Sequence, residues 1–550
     1  MTAAAEDDKV WQPHAPEKPK APSAWAPFRS RIFAVIWGAS LVSNIGIWMR
    51  DVASGWLMTD LAPSPLMVSL VQAALLLPVL LFALPAGALA DILDRRRMLI
   101  AVQVFLAAVS FCMAAVVAAE AMTPLALLLF TFAAGVGAAL TQPAFQAIVP
   151  ELVPRTDLRA AVALNSMGIN VARAIGPALG GVVLAVAGVT VAYLLDALST
   201  LVAIAAFVWW RRPPPERTLS PERLGPAMRT GMTYALRAPA LHRVLLRALA
   251  FFLFASAYWA LLPLIARDLL AADATFYGLM LTFVGAGAVA GALVLPRVGQ
   301  HFAPSTLVSI GSLVTALAMA GLAVAPPTAL VLGLLGLAGL AWITVLTSLG
   351  VAAQTSLPDW VRARGLAVYL MVFYGSMAAG SALWGQLAAL TDIPTALIAA
   401  ATGGVLAALA ATTAEWPGGS SDLRPAGHWP KPDTAQDVGP DAGPVLVTLN
   451  WHVAPEQRAA FLAEATAFSH RRRRDGAFGW QIWEDLSTPG LYVESYMAMT
   501  WADHLRQHAR ITADDAAAQA HLNSLAEAPP VVHHHIAARN IRTEAEGFAV

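Results

Sequence analysis

Hydrophobic runs about twenty residues long recur twelve times between Phe33 and Thr413. A run of that length is what an α-helix needs to cross a hydrocarbon core about 30 Å thick. Backbone N–H and C=O groups in lipid must be satisfied within their own segment, so these runs are expected as helices rather than strands. The chain of 550 residues is 58% hydrophobic and 13% charged, and its mean hydropathy is +0.62. A soluble domain carries nearer a quarter charged residues. Formal net charge is zero, so no overall field recruits nucleic acid. The single cysteine, Cys112, lies inside the third run and forms no intrachain disulfide.

The runs place helices at 32–58, 66–90, 98–119, 123–145, 160–187, 190–210, 248–266, 275–297, 304–325, 329–353, 364–389 and 393–413. Lys and Arg gather on the side shared by the N-terminus and the even-to-odd connections: Arg29 and Arg31, Arg95 to Arg97, Arg155 and Arg159, Arg211 to Arg247, Arg297, Arg362 and Arg364. The positive-inside rule therefore predicts a multi-pass protein of the inner (cytoplasmic) membrane with both termini cytosolic. The first thirty residues are polar and Pro-rich, and no cleaved signal peptide is expected.

These features divide the chain into a cytosolic tail expected to be disordered (1–31), a six-helix half (32–210), a cytosolic central loop (211–247) and a second six-helix half (248–413). Internal similarity supports the two halves. Gly87-Ala88-Leu89 is matched by Gly291-Ala292-Leu293, Gln146-x-x-x-Pro150-Glu151-x-Val153 by Gln354-x-x-x-Pro358-Asp359-x-Val361, and Gly176 by Gly380, at offsets of 204, 208 and 204 residues. Two similar halves imply a transporter that rocks them about a central site. A Gly/Pro/Asp-rich stretch, 414–444, reads as a flexible linker. Beyond it, strands are expected at 445–453, 479–486, 491–499 and 530–537, with helices at 455–474 and 501–525. The order βαββαβ predicts a cytosolic ferredoxin-like domain over 445–540, followed by a short tail, 541–550. The fold class expected is thus an all-α polytopic membrane protein of twelve helices in two repeats, plus an α+β ferredoxin-like domain.

The connection Gly87-Ala-Leu-Ala-Asp91-Ile-Leu-Asp94-Arg95-Arg96 resembles the signature of the major facilitator superfamily. Gly87 would let two helices approach, and Asp91 and Arg95 would latch neighbouring helix ends by charged hydrogen bonds. Ile92 and Asp94 depart from the usual Arg and Gly. Arg173-Ala-Ile-Gly176-Pro177-Ala-Leu-Gly180-Gly181 resembles the Gly-Pro motif of antiporter members, with Ala163 and Ala172 standing for upstream glycines. An ordinary close-packed helix pair would show the same small residues. Residues 43–60, 91–97 and 354–370 together with the soluble tail resemble the enterobactin-exporter-like branch, whose members are often called transmembrane secretion effectors. That resemblance implies export of a small molecule such as a siderophore, drug or other metabolite across a bacterial cytoplasmic membrane.

Charges inside the segments are costly and mark function or pairing. They are Arg50 and Asp51, Arg173, and Asp196. At 1.5 Å rise per residue all fall in the outer half of the bilayer, Asp51 ~28 Å and Arg173 ~20 Å from the cytosolic starts of their helices. Asp51, answering to Arg50 or Arg173, is the leading proton-coupling candidate, with Asp196 behind it; a static ion pair, with Arg50–Asp51 snorkelling to the outer interface, is the alternative. Asn44, Gln72, Gln103, Tyr258, Trp259 and Tyr374 are candidates for lining a substrate cavity.

The tail is rich in histidine, and His504 and His508 share a helix face at a zinc-compatible spacing. With no cysteine or acid to complete a site, no metal is assigned. The tail resembles dimeric α/β-barrel monooxygenase-like proteins. Asn450, Trp480, Trp483 and the helical histidines are similar to polar residues of haem-degrading members. That resemblance implies a homodimer joined sheet to sheet, and Trp480, Ile482, Tyr492 and Tyr496 are expected on the joining face. No catalytic residue and no cofactor is assigned, and no Walker-type motif supports ATP drive. The leading expectation is a secondary exporter, its partners being a small-molecule substrate, protons and the bilayer. A membrane-tethered monooxygenase-like enzyme or a ligand sensor acting through 445–540 are the alternatives.

Overall fold

The computed structural model describes residues 25–62, 64–211, 237–358, 360–412 and 438–537, with isolated positions 23, 234, 416, 422–424, 426 and 432. The side chains of 84, 88, 90–92, 155, 363 and 509 lie outside that description. The expectations for 1–22, for most of 212–236, for Asp359, for much of 413–437 and for 538–550 therefore fall outside the described residues.

Eleven described helices are long and apolar enough to cross a membrane. They are α1 (Arg31–Leu61), α2 (Pro65–Ile92), α3 (Arg95–Ala118), α4 (Pro124–Leu152), α5 (Leu158–Trp209), α6 (Pro239–Leu264), α7 (Ala274–Val298), α8 (Pro304–Ala323), α9 (Thr328–Thr355), α10 (Arg362–Leu390) and α11 (Ile393–Thr412). The fifth and sixth sequence segments appear as α5, which has 52 residues and is broken at Gly188 (φ 78°, ψ 176°). A residue with a Cβ rarely takes that φ, so glycine marks the break. Several helices begin on a proline one residue past an extended cap, where a missing N–H costs nothing. The seventh helix starts at Pro239 rather than near 248, carrying Arg243 and Arg247 into its first turns.

Small residues set the packing of each group. On α5, Gly168, Ala172, Gly176 and Gly180 recur every fourth position and face α1. A Cβ on Gly176 would stand 2.6 Å from the Trp48 Cβ, and one on Gly180 3.0 Å from the Met49 Cα. Gly380 of α10 lies in the same way against the Leu253 carbonyl of α6. The Gly176/Gly380 repeat is therefore also a repeat in packing.

The first group (α1–α5) meets the second (α6–α11) toward the end opposite Arg95. A Cβ on Gly181 would lie 3.0 Å from the Gly278 Cα, and one on Gly285 2.9 Å from the Arg173 carbonyl oxygen. Trp56 and Tyr277 stack at 6.0 Å. Arg267 Nη1 donates to Thr59 Oγ1 (2.7 Å) and Asp60 Oδ1 (2.6 Å). α2 runs close to α10 at Ser69–Gly385, touches it again at Leu80–Gly375, and by Gly87 a Cβ would meet nothing within 4 Å. A Cβ on Gly87 would therefore enter open space on its own face, although Ala86 beside it is fully buried.

After the membrane helices come β1 (Val445–His452), α12 (Arg458–Arg474), β2 (Phe478–Glu484), β3 (Leu491–Ala498), α13 (Trp501–Arg510), α14 (Ala513–Ser524) and β4 (Val531–Ile536). They build one antiparallel sheet in the order β2-β3-β1-β4, with Val447 opposite both Tyr496 and His534. The single helix expected over 501–525 is two. The first ends at Arg510 with Ile511 as its cap, and Thr512 caps the next through a capping box with Asp515. The Gly/Pro-rich linker is not free along its whole length. Ala513 N donates to Arg424 O (2.9 Å), Ala426 N to Ile511 O (2.9 Å) and Trp501 N to Ala442 O (2.7 Å).

Alternation decides the sheet faces. Val445, Val447, Leu449, Trp451, Tyr492 and Tyr496 are buried beneath the helices, and Trp480 and Ile482 pack on the same core. The aromatic residues expected on the open face are thus on the covered one. The open face instead carries Thr448, Asn450, Ser495, Met497, His533, His535 and Trp483, whose indole donates to Ser495 Oγ at 3.0 Å. Beneath the sheet, Arg472 Nε donates to Glu494 Oε1 (2.6 Å) in a pair shared with the indoles of Trp451 and Trp480.

This unit rests on the second helical group. The Arg474 guanidinium lies over the Tyr234 ring (5.2 Å) and that of Arg510 over Trp360 (4.2 Å). Arg237 Nη1 donates to the Arg473 carbonyl (3.0 Å).

Glycine packing makes a direct forecast. Gly176→Leu overpacks the α1–α5 seam at a cost of about 1–3 kcal/mol. Gly333, exposed and with nothing within 4 Å of its Cβ position, tolerates the same change. Thermal unfolding of the two purified variants in detergent should separate them clearly, with only Gly176→Leu melting earlier than the parent.

Candidate functional site

Three helices bring charge together inside the first group. Arg50 of α1 is 4% exposed and Asp196 of α5 is 1% exposed. Arg50 Nη2 and Nε donate to Asp51 Oδ1 at 2.9 and 3.2 Å, and Nη1 reaches Asp196 Oδ2 at 3.4 Å. Ser110 of α3 donates to the same Asp196 oxygen at 2.6 Å. Beside them Tyr193 Oη and Ser54 Oγ are 3.1 Å apart. Asp196 Oδ1 is buried with no hydrogen-bond partner. Two carboxylates share one guanidinium, so the cluster carries one surplus negative charge when both are ionised. A proton on either carboxylate would remove it.

Sequence spacing explains the assembly. Arg50 and Ser54 are four apart on α1, and Tyr193 and Asp196 three apart on α5, so each pair shares a helix face. The polar partners Ser54, Ser110 and Tyr193 were not singled out from sequence. Lone hydroxyls in apolar helices are common, and only the charge they meet distinguishes them. Arg50 does not reach out to an interface; it is held inward by Asp196. Asp51 keeps a side chain 24% exposed.

Arg173 is not an ion-pair partner of Asp51 among the described residues. Its guanidinium sits over the Trp48 ring at 5.9 Å, within electrostatic reach of Tyr258 and Tyr374 of the second group. Those two tyrosines open an aromatic wall. Tyr258 and Trp259 rings are 5.5 Å apart, Trp259 and Trp342 5.6 Å, Trp342 and Phe373 6.2 Å, and Phe373 and Tyr374 4.7 Å. Tyr258 Oη and Trp259 Nε1 are buried and unpartnered, an arrangement that a polar ligand atom would relieve. Trp342 and Phe373 join this wall although sequence reasoning did not pick them, because aromatic residues in apolar helices carry no signal of their own. Gln103 is buried on α3, and Gln72 is half-buried on α2. Asn44 spends its amide on its own helix, Nδ2 to Ser40 O at 2.7 Å.

At the arginine-rich end, Arg95 Nη1 donates to Glu151 Oε1 (3.0 Å) and Ala147 O (3.2 Å), tying α3 to the end of α4. Arg96 donates to the carbonyls of Phe207 and Val208, both at 2.8 Å, tying α3 to α5. Asp94 caps α3 by accepting from Arg97 N at 2.8 Å. Asp91 lies in α2 with its side chain outside the described residues. Glu151, noted in the sequence only as part of a repeat, is an acid that meets Arg95 among the described residues. A separate cavity of about 590 Å³ lies within the second group, lined by Phe251, Phe254, Met319 and Trp416 with Arg247 at its edge. None of the expected cavity residues is on it.

Two packed groups of apolar helices, with charge on one side of their seam and an aromatic wall on the other, define a multi-pass membrane transporter of the major facilitator kind. The chain belongs to the transmembrane secretion effector family, whose model matches residues 22–542. The staphyloferrin A transporter of Staphylococcus aureus is 23% identical over 288 residues, covering 52% of this chain and 71% of that protein. The enterobactin exporter EntS of Shigella boydii is 27% identical over 260 residues, covering 46% of this chain and 61% of that protein. The alignments thus span about two thirds of these relatives, which are transporters and not enzymes. Among solved structures, a POT family transporter in complex with 5-aminolevulinic acid superposes with a TM-score of 0.57 at 12% identity, covering 70% of this chain and 96% of that one. A bacterial homolog of the human lysosomal transporter Spinster, inward-facing and occupied, gives 0.54 at 14% identity, again over 70% of this chain. These likenesses establish the fold.

Removing Arg50 leaves the buried Asp196 carboxylate and the partly exposed Asp51 carboxylate uncompensated. Breaking a buried pair from one side costs about 3–5 kcal/mol. Arg50→Met should therefore cut folded yield sharply in fluorescence-detected size exclusion. Adding Asp196→Asn should restore part of it, because one of the stranded charges is gone.

Proposed function

We propose that this protein exports a small siderophore-like metabolite from a bacterial cytosol by alternating access, driven by protons. Twelve crossings follow if α5 crosses twice: 52 residues span about 78 Å as helix, more than twice a hydrocarbon core. The arginine-rich end faces the cytosol by the positive-inside rule. The closed seam at Gly181–Gly278 then lies on the outer side and the open space beside Gly87 on the inner side, which favours a conformation open to the cytosol. In the opposite conformation Gly87 would receive a neighbouring helix, which gives its small size a purpose that its present surroundings do not.

The observation that carries the reading is the Arg50–Asp51–Asp196 cluster with its single surplus charge, one seam away from the aromatic wall. Asp51, half-open, exchanges the proton. Arg50 passes between the two carboxylates as their charge changes, and this alters the packing of α1 on α5. Arg173 and the Tyr258–Tyr374 wall suit a substrate with aromatic rings and an anionic group, through charge and cation–π contact. The two relatives, named for staphyloferrin A and enterobactin, support a siderophore-like cargo. Residues 445–537 form a ferredoxin-like unit in this reading, supported by the strand order β2-β3-β1-β4. Its open face, with Trp483 and Met497 rather than the tyrosines, is the surface a second copy would use. Light scattering of the full chain tests that dimer.

Comparison of extracellular and intracellular metabolites with and without the protein tests the export itself. An aromatic or carboxylate metabolite should accumulate outside only in cells that carry it. Unchanged distribution of every such metabolite would overturn the reading. Asp51→Asn should abolish export driven by a proton gradient while leaving substrate binding measurable. Full pH-dependent export by that variant would transfer the role to Asp196.

A further inference from the structure

Three histidines from two elements converge at one edge of the C-terminal unit. His504 and His508 stand four apart on α13, and His534 is on β4. One ring nitrogen of each lies within 4.8 Å of the other two. The Nε2 atoms of His504 and His508 are 3.2 Å apart. Two imidazole nitrogens on a tetrahedral ion at 2.0–2.1 Å are separated by about 3.3 Å, so this pair already stands at ligand spacing. His504 is fully buried, and the Nε2 of His534 is buried without a hydrogen-bond partner among the described residues. Buried polar atoms are rarely left so unless something else occupies the site.

The pleat selects the third ligand. Of three consecutive strand histidines, His534 points under the sheet toward α13, while His533 and His535 point to the open face. His535 Nε2 approaches Thr448 Oγ1 there at 3.5 Å. Trp501 closes one side, its ring 5.4 Å from that of His504 and 5.9 Å from that of His534. The nearby cation Arg472 is compensated by Glu494 at 2.6 Å.

We propose that His504, His508 and His534 bind one divalent transition-metal ion of the zinc, cobalt, nickel or copper class. Three neutral imidazoles suit that class and not calcium or magnesium, which require oxygen ligands. His508 and His534 are only half-buried, so a fourth coordination position is left toward solvent for water or an external ligand. The ion clips β4, an edge strand, onto α13. This site stands independently of the transport reading.

The test uses the full chain purified in detergent without a polyhistidine tag, stripped with chelator and titrated with Co²⁺. One equivalent should bind, with the intense visible absorption of four-coordinate cobalt, and the ion should raise the melting temperature of the C-terminal unit. His508→Asn should weaken binding at least tenfold and abolish that rise, while its metal-free melting stays that of the parent. His521→Asn and His533→Asn, both exposed, should behave as the parent. No uptake by the parent, or equal uptake by His508→Asn, would overturn the site and leave a hydrogen-bonded histidine pair.

Discussion

A guanidinium among apolar helices can be kept only if its charge is answered where it stands. Arg50 meets that demand with Asp51 from its own helix and Asp196 from α5, and Ser110 of α3 completes the Asp196 shell. The three helices cannot slide past one another without stranding a charge, so this contact fixes their register. The glycine and alanine stripe of α5 then brings α1 close enough for the bridge to form. Without small residues there, two helix backbones would stand too far apart for a 3.4 Å contact.

The membrane architecture was legible because its cause is local. Length and apolarity of each run, and Pro or Gly at its limits, act within a segment. Even the break at Gly188 showed as a gap between two expected helices. Starts were less visible where polar residues continue a helix past the bilayer, as Arg243 and Arg247 do at the head of α6.

The sites were legible only in part. Arg50, Asp51 and Asp196 stand out because charge is rare in such runs. Their hydroxyl partners, and Trp342 and Phe373 of the aromatic wall, do not. The tyrosines of β3 were assigned to the wrong sheet face because strand periodicity says which residues go together, not which face the helices cover. The same limit applied to the histidines: His504 and His508 announced a pair, but only the sheet register brings His534 beside them.

Of the points where the C-terminal unit rests, Trp360 lies within the second helical group, and Tyr234, packed on Trp360, and Arg237 lead into its first helix. Among the described residues, the unit is therefore carried by that group. Any rotation of one group against the other sweeps it bodily through the space beyond the helix ends, like a flag on a lever. A small tilt at the helices becomes a larger arc at the far edge strand. Whatever grips that edge, or stiffens it, applies torque to the helices with the advantage of the longer arm.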